Sequence, residues 1–277
     1  MKTWFITGAS RGFGARIAEK ALERGDAVVA TARRPEAITD RLGKHDRLLA
    51  VSLNVESSAQ AQEATRLSVQ RFGRIDVLVN NAGYGLVGAV EEASDKETEA
   101  LFRTNVFGLL SVTRAVLPVM RAQRSGLILN FSSIGGYRAG PGFGIYSATK
   151  FAVEALSESL RAELSLLGIS VTAIEPGYFR TDFLDGSSLL MSETVIADYA
   201  ETAGLVRTSV SRINHNQPGD PDRLASVIVN LADEPNPPVR LPLGSDTIFA
   251  IEAKHRSDKA IIETWRPLAI STDFPDS

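Results

Sequence analysis

The chain has 277 residues, 44% hydrophobic and 23% charged, with a formal net charge of −3. That length supports one sizeable α/β core, and with no run of like charge a polyanion-binding surface is excluded, so nucleic acid is not an expected partner. With no cysteine, disulfides and thiolate chemistry are excluded, and the scattered His45, His215 and His255 make no ligand set, so no metal is expected.

The opening residues, MKTWFITGAS, run straight into a strand pattern and lack the apolar core and cleavage site of a signal peptide. No apolar run approaches the roughly 20 residues that span a bilayer. A soluble cytoplasmic protein with no membrane partner is the expectation.

Short apolar or β-branched runs recur along the chain: WFIT at Trp4, AVVATA at Ala27, LLAVSL at Leu48, DVLVN at Asp76, LILNFS at Leu127 and SVTAIE at Ser170. Each reads as a buried strand. Between them lie segments of helical spacing, such as GARIAEKALERG and NVFGLLSVTRAVLPVMRAQRSG, that close on glycine. This alternation predicts a single α/β domain over 1–277, a Rossmann-type, doubly wound parallel sheet with helices on both faces. Ligands of such sheets bind at the carboxyl ends of the strands. Late in the chain, DEPNPPVRLPLG reads as an irregular, proline-rich crossing, and residues from about 245 to 277 as one more helix and a tail.

After the first strand stands Thr7-Gly8-Ala9-Ser10-Arg11-Gly12-Phe13-Gly14. Glycines there permit a tight turn, close backbone approach to a phosphate and exposure of helix N-terminal N–H groups. A flexible strand-to-helix turn would look the same. Position after the first strand favours a dinucleotide, and Arg11, a cation at a helix N-terminus, gains from a nearby anion. About 20 residues further on, where an acidic residue usually meets the ribose of NAD, the sequence has Ala32, Arg33 and Arg34. A solvated arginine pair is the plain alternative; with Arg11 and the missing carboxylate, NADP(H) is favoured over NAD(H).

These residues fall into a known pattern. TGASRGFG, NNAG from Asn80 to Gly83, NVFG at Asn105, FSSIGG around Ser133, YSATK and PGYFRT from Pro176 stand in order, and over about residues 1–240 the chain resembles the short-chain dehydrogenase/reductase family. More distantly it is similar to the hydroxysteroid-dehydrogenase-like and carbonyl reductase branch. The resemblance implies a catalytic tetrad of Asn105, Ser133, Tyr146 and Lys150. Ser132 competes for the serine role, but family spacing, 13 positions before the tyrosine and 28 after Asn105, selects Ser133.

By the same resemblance Gly8, Ser10, Arg11, Gly12, Phe13 and Gly14 surround the pyrophosphate and adenosine ribose, and Asn81, Ala82 and Gly83 line the adenosine side. Pro176, Gly177, Phe179 and Thr181 hold the nicotinamide. Asn54, before Val55, replaces the usual Asp, and its carbonyl can still accept from the adenine amino group. Family members commonly pair through the helices after NVFG and YSATK, so a homodimer or homotetramer is implied.

Tyr146 and Lys150 are i and i+4 and share a helix face. An isolated pair of this kind is often a solvated surface pair. A free phenol has a pKa near 10; an ammonium about 4–6 Å away is expected to bring it down. The implied chemistry is carbonyl reduction: hydride from NADPH to carbon, a proton from Tyr146 to oxygen, Ser133 positioning that oxygen, Lys150 tuning the phenol and holding the ribose, and Asn105 anchoring a water in a proton path.

The stretch from about 181 to 219 interrupts the alternation, and the resemblance makes it a lid over a small carbonyl or alcohol substrate. Phe183, Leu184, Leu189, Leu190, Met191 and Tyr199 either line a pocket there or pack on the core. Tyr84, Leu86 and Val87, with Tyr137 and Phe143, are further wall candidates. The expected substrate is an apolar ketone, aldehyde or secondary alcohol, while Arg138, Arg180 and Arg207 leave room for an anionic group. An oxidative alcohol or steroid dehydrogenase, and a non-catalytic dinucleotide-binding redox sensor, are the competing readings.

Overall fold

The computed structural model describes residues 1–274. Its strands are β1 (Thr3–Thr7), β2 (Ala27–Ala32), β3 (Leu48–Ser52), β4 (Val77–Asn80), β5 (Gly85–Val87), β6 (Gly126–Phe131), β7 (Ile169–Pro176), β8 (Leu189–Met191) and β9 (Arg240–Leu243). Its helices are α1 (Gly12–Glu23), α2 (Glu36–Leu42), α3 (Ser58–Phe72), α4 (Asp95–Phe102), α5 (Leu109–Gln123), α6 (Gly144–Leu164), α7 (Leu205–Ile213), α8 (Pro221–Leu231) and α9 (Ser245–Ile270).

Seven strands form one parallel sheet in the order β3-β2-β1-β4-β6-β7-β9, the doubly wound architecture expected. Residues alternate between its faces: Trp4 and Ile6 pack with Ile17, Ala21, Leu224 and Ile228 from α1 and α8, whereas Phe5 packs with Ala61, Val112, Val116 and Leu164 from α3, α5 and α6. The order reverses beside β1, so β1 and β4 open at the switch point where ligands bind.

Two elements differ from the sequence expectation. The proline-rich segment contains β9, which pairs with β7 from Ala173↔Arg240 to Pro176↔Leu243. Pro242 is tolerated because β9 is an edge strand, where a missing N–H disturbs no second neighbour. A separate two-stranded parallel pairing of β5 with β8 fastens the segment after Ile169–Pro176 back to the residues that follow β4.

The 29-residue stretch Asp95–Gln123 contains an 18-residue window of mean hydropathy 1.2, long and apolar enough to cross a membrane, contrary to the expectation that no run reaches that mark. In the fold its apolar side, including Val112, Val116 and Met120, is buried against the sheet. Between α4 and α5 the helix widens into a π segment, Arg103–Gly108. Such widenings shift the register of one turn, and this one carries Asn105 into the interior, 2% exposed.

Candidate active site

A cleft of about 920 Å³ runs along the carboxyl ends of the strands, bordered by Gly8, Gly12, Phe13, Arg33, Asn81, Ser133, Tyr146 and Thr181. On its floor Gly8 and Gly12 hold φ of +65° and +57°, a region other residues avoid. At Gly12 an added Cβ would meet nothing within 4 Å, whereas at Gly14 it would overlap the Gly8 carbonyl oxygen. Gly14 therefore packs helix against loop rather than bordering the cleft. The first turn of α1 has no side-chain cap and no acidic residue, so its N–H groups suit an anion. This open, donor-lined cradle fits a dinucleotide pyrophosphate.

Sequence reading missed the residue that ties this floor together. The Thr7 hydroxyl accepts from Asn81 N and Ala82 N, both at 3.0 Å. The Asn81 side chain in turn donates to the carbonyls of Thr7 (3.0 Å) and Gly8 (3.1 Å). Arg11 also borders the cleft, where its guanidinium donates to the Ser187 hydroxyl at 2.6 Å and the Ser187 carbonyl at 2.8 Å, clasping the lid.

At the adenosine end Ala32, Arg33, Asn54 and Val55 border the cleft and Arg34 does not, a correction to the paired-arginine reading. Consecutive residues leaving a strand diverge, and only the first faces the switch point. The Asn54 side-chain oxygen accepts from Glu56 N at 3.2 Å, which leaves it one lone pair for a ligand.

The catalytic candidates gather at the other end. Tyr146, 7% exposed, packs edge-on against Phe143 and beside Phe183, with the Ser133 hydroxyl close enough to oppose the rise of its pKa. The Ser133 hydroxyl also accepts from Gly135 N at 3.1 Å. Ser132 also borders the cleft, but its hydroxyl donates to Lys150 O of α6 at 3.5 Å, whereas Ser133 lies beside Tyr146. Lys150 Nζ donates to Phe131 O at 2.8 Å and lies 5.7 Å from the Tyr146 ring centre. The Asn105 side chain accepts from Tyr84 N (3.1 Å) and donates to Tyr84 O (2.9 Å) and Thr149 (3.1 Å). It does not border the cleft.

Burial outweighs charge in this cluster. The Tyr146 phenol is pushed up to about 12, mainly by loss of solvent and against the opposing influence of Ser133. The lowered phenol expected from an adjacent ammonium is not found without ligand. Burial also pulls Lys150 down to about 8, with Glu154 acting in the opposite direction. Behind Lys150, Glu154 (3% exposed) and Glu175 (1% exposed) are buried together beside Arg240. Burial first, then Glu154, raises Glu175 to about 8. The charged residue that closes the SVTAIE run was the sequence signal for Glu175.

On the substrate side Tyr84, Phe143, Phe183, Leu184, Leu190 and Arg138 border the cleft. Leu86, Tyr137 and Met191, expected as walls, do not. Leu86 is buried beneath the wall with Leu101 and Tyr146. Tyr137 faces α9, hydrogen-bonded to His255 with Arg240 over its ring. Met191, the last residue of β8, is 41% exposed, whereas Leu189 is buried and Leu190 borders the cleft. Val87 is core, Tyr199 bonds Glu91 on the surface, and the Arg180 side chain donates to Gln217 O.

Arg207 makes a two-point ion pair with Glu92, at 2.7 and 3.1 Å, which holds the lid to the segment after β5. Asp246 of α9 accepts from Tyr178 N at 2.7 Å and borders the cleft, so the C-terminal helix begins in the site.

The short chain dehydrogenase family profile matches residues 2–189. The chain is 39% identical over 277 residues, 98% of this chain and 99% of the relative, to oxidoreductase BOA17 of Botryotinia fuckeliana. It is 38% identical over 239 residues, 86% of each chain, to a 3-ketodihydrosphingosine reductase of Bacteroides thetaiotaomicron. A solved short-chain dehydrogenase from Streptomyces avermitilis superposes with a TM-score of 0.91 at 42% identity, covering 99% of this chain and 100% of that one. The chain belongs to the short-chain dehydrogenase family of oxidoreductases.

Proposed function

We propose that the protein reduces an apolar ketone or aldehyde to the alcohol at the expense of NADPH, with Tyr146 as the proton donor. One observation carries this: a buried phenol, with Ser133 beside it, stands in the same cleft as the glycine-turn cradle. A nicotinamide dinucleotide held there would supply the hydride. Tyr146 gives its proton to the carbonyl oxygen, Ser133 orients that oxygen, and cationic Lys150 stabilises the phenolate left behind. Asn105 holds Tyr84 and Thr149 in place around them. The wall of Tyr84, Phe143, Phe183 and Leu190 suits an apolar substrate, and the relative named for reducing a 3-keto compound supports the reductive direction. Self-association would use the face carrying Phe107 and Phe151, which are 59% and 44% exposed. Oxidation of NADPH across ketones, aldehydes and quinones of graded size tests the reading; tight NADPH binding with no turnover on any of them would replace it with the redox-sensor alternative.

The cofactor preference rests on Arg33. Arg33→Ala is expected to raise KM for NADPH roughly tenfold or more, as loss of a charge-assisted bond does, and to leave NADH nearly unchanged, while Arg34→Ala changes neither. Equal effects of Arg33→Ala on both cofactors would make that arginine a solvated surface group.

Lys150 supplies a pH dependence. Its folded-state value, about 8, lies below the ordinary lysine value of 10.5, so between those limits the unfolded chain binds the extra proton and stability rises with pH. Turnover, which needs the cation, is expected to fall through about pH 8. Glu154→Gln removes the group that favours the cation and shifts this fall to lower pH. A kcat/KM profile with an unmoved limb would sever Glu154 from Lys150.

A further inference from the structure

Between α7 and α8 stands Gln217, 1% exposed, with neither its side-chain oxygen nor its side-chain nitrogen hydrogen-bonded. It nevertheless borders the cleft. A buried amide with both ends unmet is rare in a folded protein, and its usual explanation is a partner that arrives with ligand or water.

The backbone around Gln217 fixes which part of the cleft it serves. Gly219 N donates to Tyr178 O at 3.0 Å and Arg180 N to Gly219 O at 2.9 Å, and the Arg180 guanidinium donates to Gln217 O at 3.2 Å. The segment is thereby fastened to Tyr178–Arg180, directly before Thr181. Phe179, whose backbone it pairs with, stacks 5.5 Å from Phe13 of the glycine turn. Gln217 thus belongs to the strand-end wall, where the nicotinamide half of a dinucleotide would lie.

The chemistry of the unmet atoms narrows the ligand group. A side-chain amide presents one acceptor and a two-proton donor side by side. A carboxylate would satisfy the nitrogen and repel the oxygen, and a ketone or aldehyde could only accept. A primary carboxamide satisfies both ends at once, through two antiparallel N–H···O bonds.

We propose that Gln217 pairs with the carboxamide of the bound nicotinamide ring and fixes which ring face is turned toward Tyr146. This rests on the dinucleotide reading above. The pairing makes Gln217 a positioning residue for hydride transfer, on a segment that sequence analysis read only as a substrate lid.

The test is a cycle of two changes read by calorimetric binding. The ligands are NADPH and its 3-acetylpyridine analogue, in which a methyl ketone replaces the carboxamide; the proteins are the parent, Gln217→Leu and the near-isosteric Gln217→Glu. The parent is expected to bind the analogue about tenfold more weakly than NADPH. Gln217→Leu should lose a larger factor for NADPH than for the analogue, whose ketone keeps one of the two bonds, and Gln217→Glu, which can accept from the carboxamide but cannot donate, should weaken both ligands. Thermal unfolding of each variant establishes that it is folded. Equal losses for both ligands in Gln217→Leu would show a structural role, and unchanged NADPH binding would show that only water meets the amide. A raised KM for the carbonyl substrate with intact NADPH binding would assign Gln217 to the substrate instead. Each of these three results overturns the pairing while leaving the dinucleotide site standing. Failure of the parent protein to bind NADPH or NADH at all overturns the proposed function and the pairing with it.

Discussion

Tyr146→Phe is expected to lower kcat by about a hundredfold to ten-thousandfold, the range a positioned general acid supplies, while the dissociation constant for NADPH stays within about twofold. The ring is held by Phe143 and Phe183 through its edges and faces, so phenylalanine fills the same space and only the hydroxyl with its proton is lost. Burial keeps the phenol loaded with its proton throughout the neutral range, the state a proton donor in carbonyl reduction requires. Steady-state turnover beside calorimetric binding measures both quantities. Near-normal turnover would remove Tyr146 from the mechanism, and a parallel loss of binding would reassign it to holding the cofactor.

The second large effect concerns the Glu92–Arg207 pair. Arg207→Met is expected to destabilise the protein by about 3–5 kcal/mol, the usual consequence of leaving one buried partner unpaired, and to lower Tm by roughly 6–20 °C for a chain of this size. The Glu92 side chain has no exposed surface, and its carboxylate accepts from Ala89 N and Ile196 N as well as from Arg207. With the arginine removed, those N–H groups still hold a charge that has lost its cation. The pair also sets a pH window. Arg207 first, then the backbone donors, depress Glu92 to about 2 from the ordinary glutamate value of 4.5. Its contribution is therefore fully present above about 4.5 and is lost as pH falls toward 2. Glu92→Gln with Arg207→Met should recover much of the loss, because neither member is then charged. Chemical denaturation of the single and double variants decides; a single variant as stable as the parent would show that solvent already screens the pair.

The sheet was largely legible because each central strand is an apolar run buried on both faces, and a buried run between glycine-closed helices has few other readings. β9 was not, since Pro237, Pro238 and Pro242 mask a strand that only an edge position makes possible. Tyr146 and Lys150 were legible as a pair from helical spacing. Their titration was not, because spacing supplies a distance but not how much solvent is excluded, and here exclusion outweighs the neighbouring charge. The substrate wall was half legible. An apolar residue on the lid can face core, cleft or solvent, and Leu189, Leu190 and Met191 take one each. Glu92 with Arg207, and Thr7 with Asn81, were hidden because the partners are distant in sequence and each alone is an ordinary polar residue.

The hydrogen bond from Tyr178 N to Asp246 bears on when the site comes into being. A chain made from its N-terminus delivers the glycine turn first, then Ser133, Tyr146 and Lys150, then the Pro176–Thr181 wall, and only much later the carboxylate that anchors that wall and the edge strand before it. During synthesis the early strands and helices can associate as they emerge, yet the floor of the cleft keeps an unanchored corner until residue 246 is free to reach back. The newborn protein is thus folded before it is competent, and its last helix acts as the closing step of assembly.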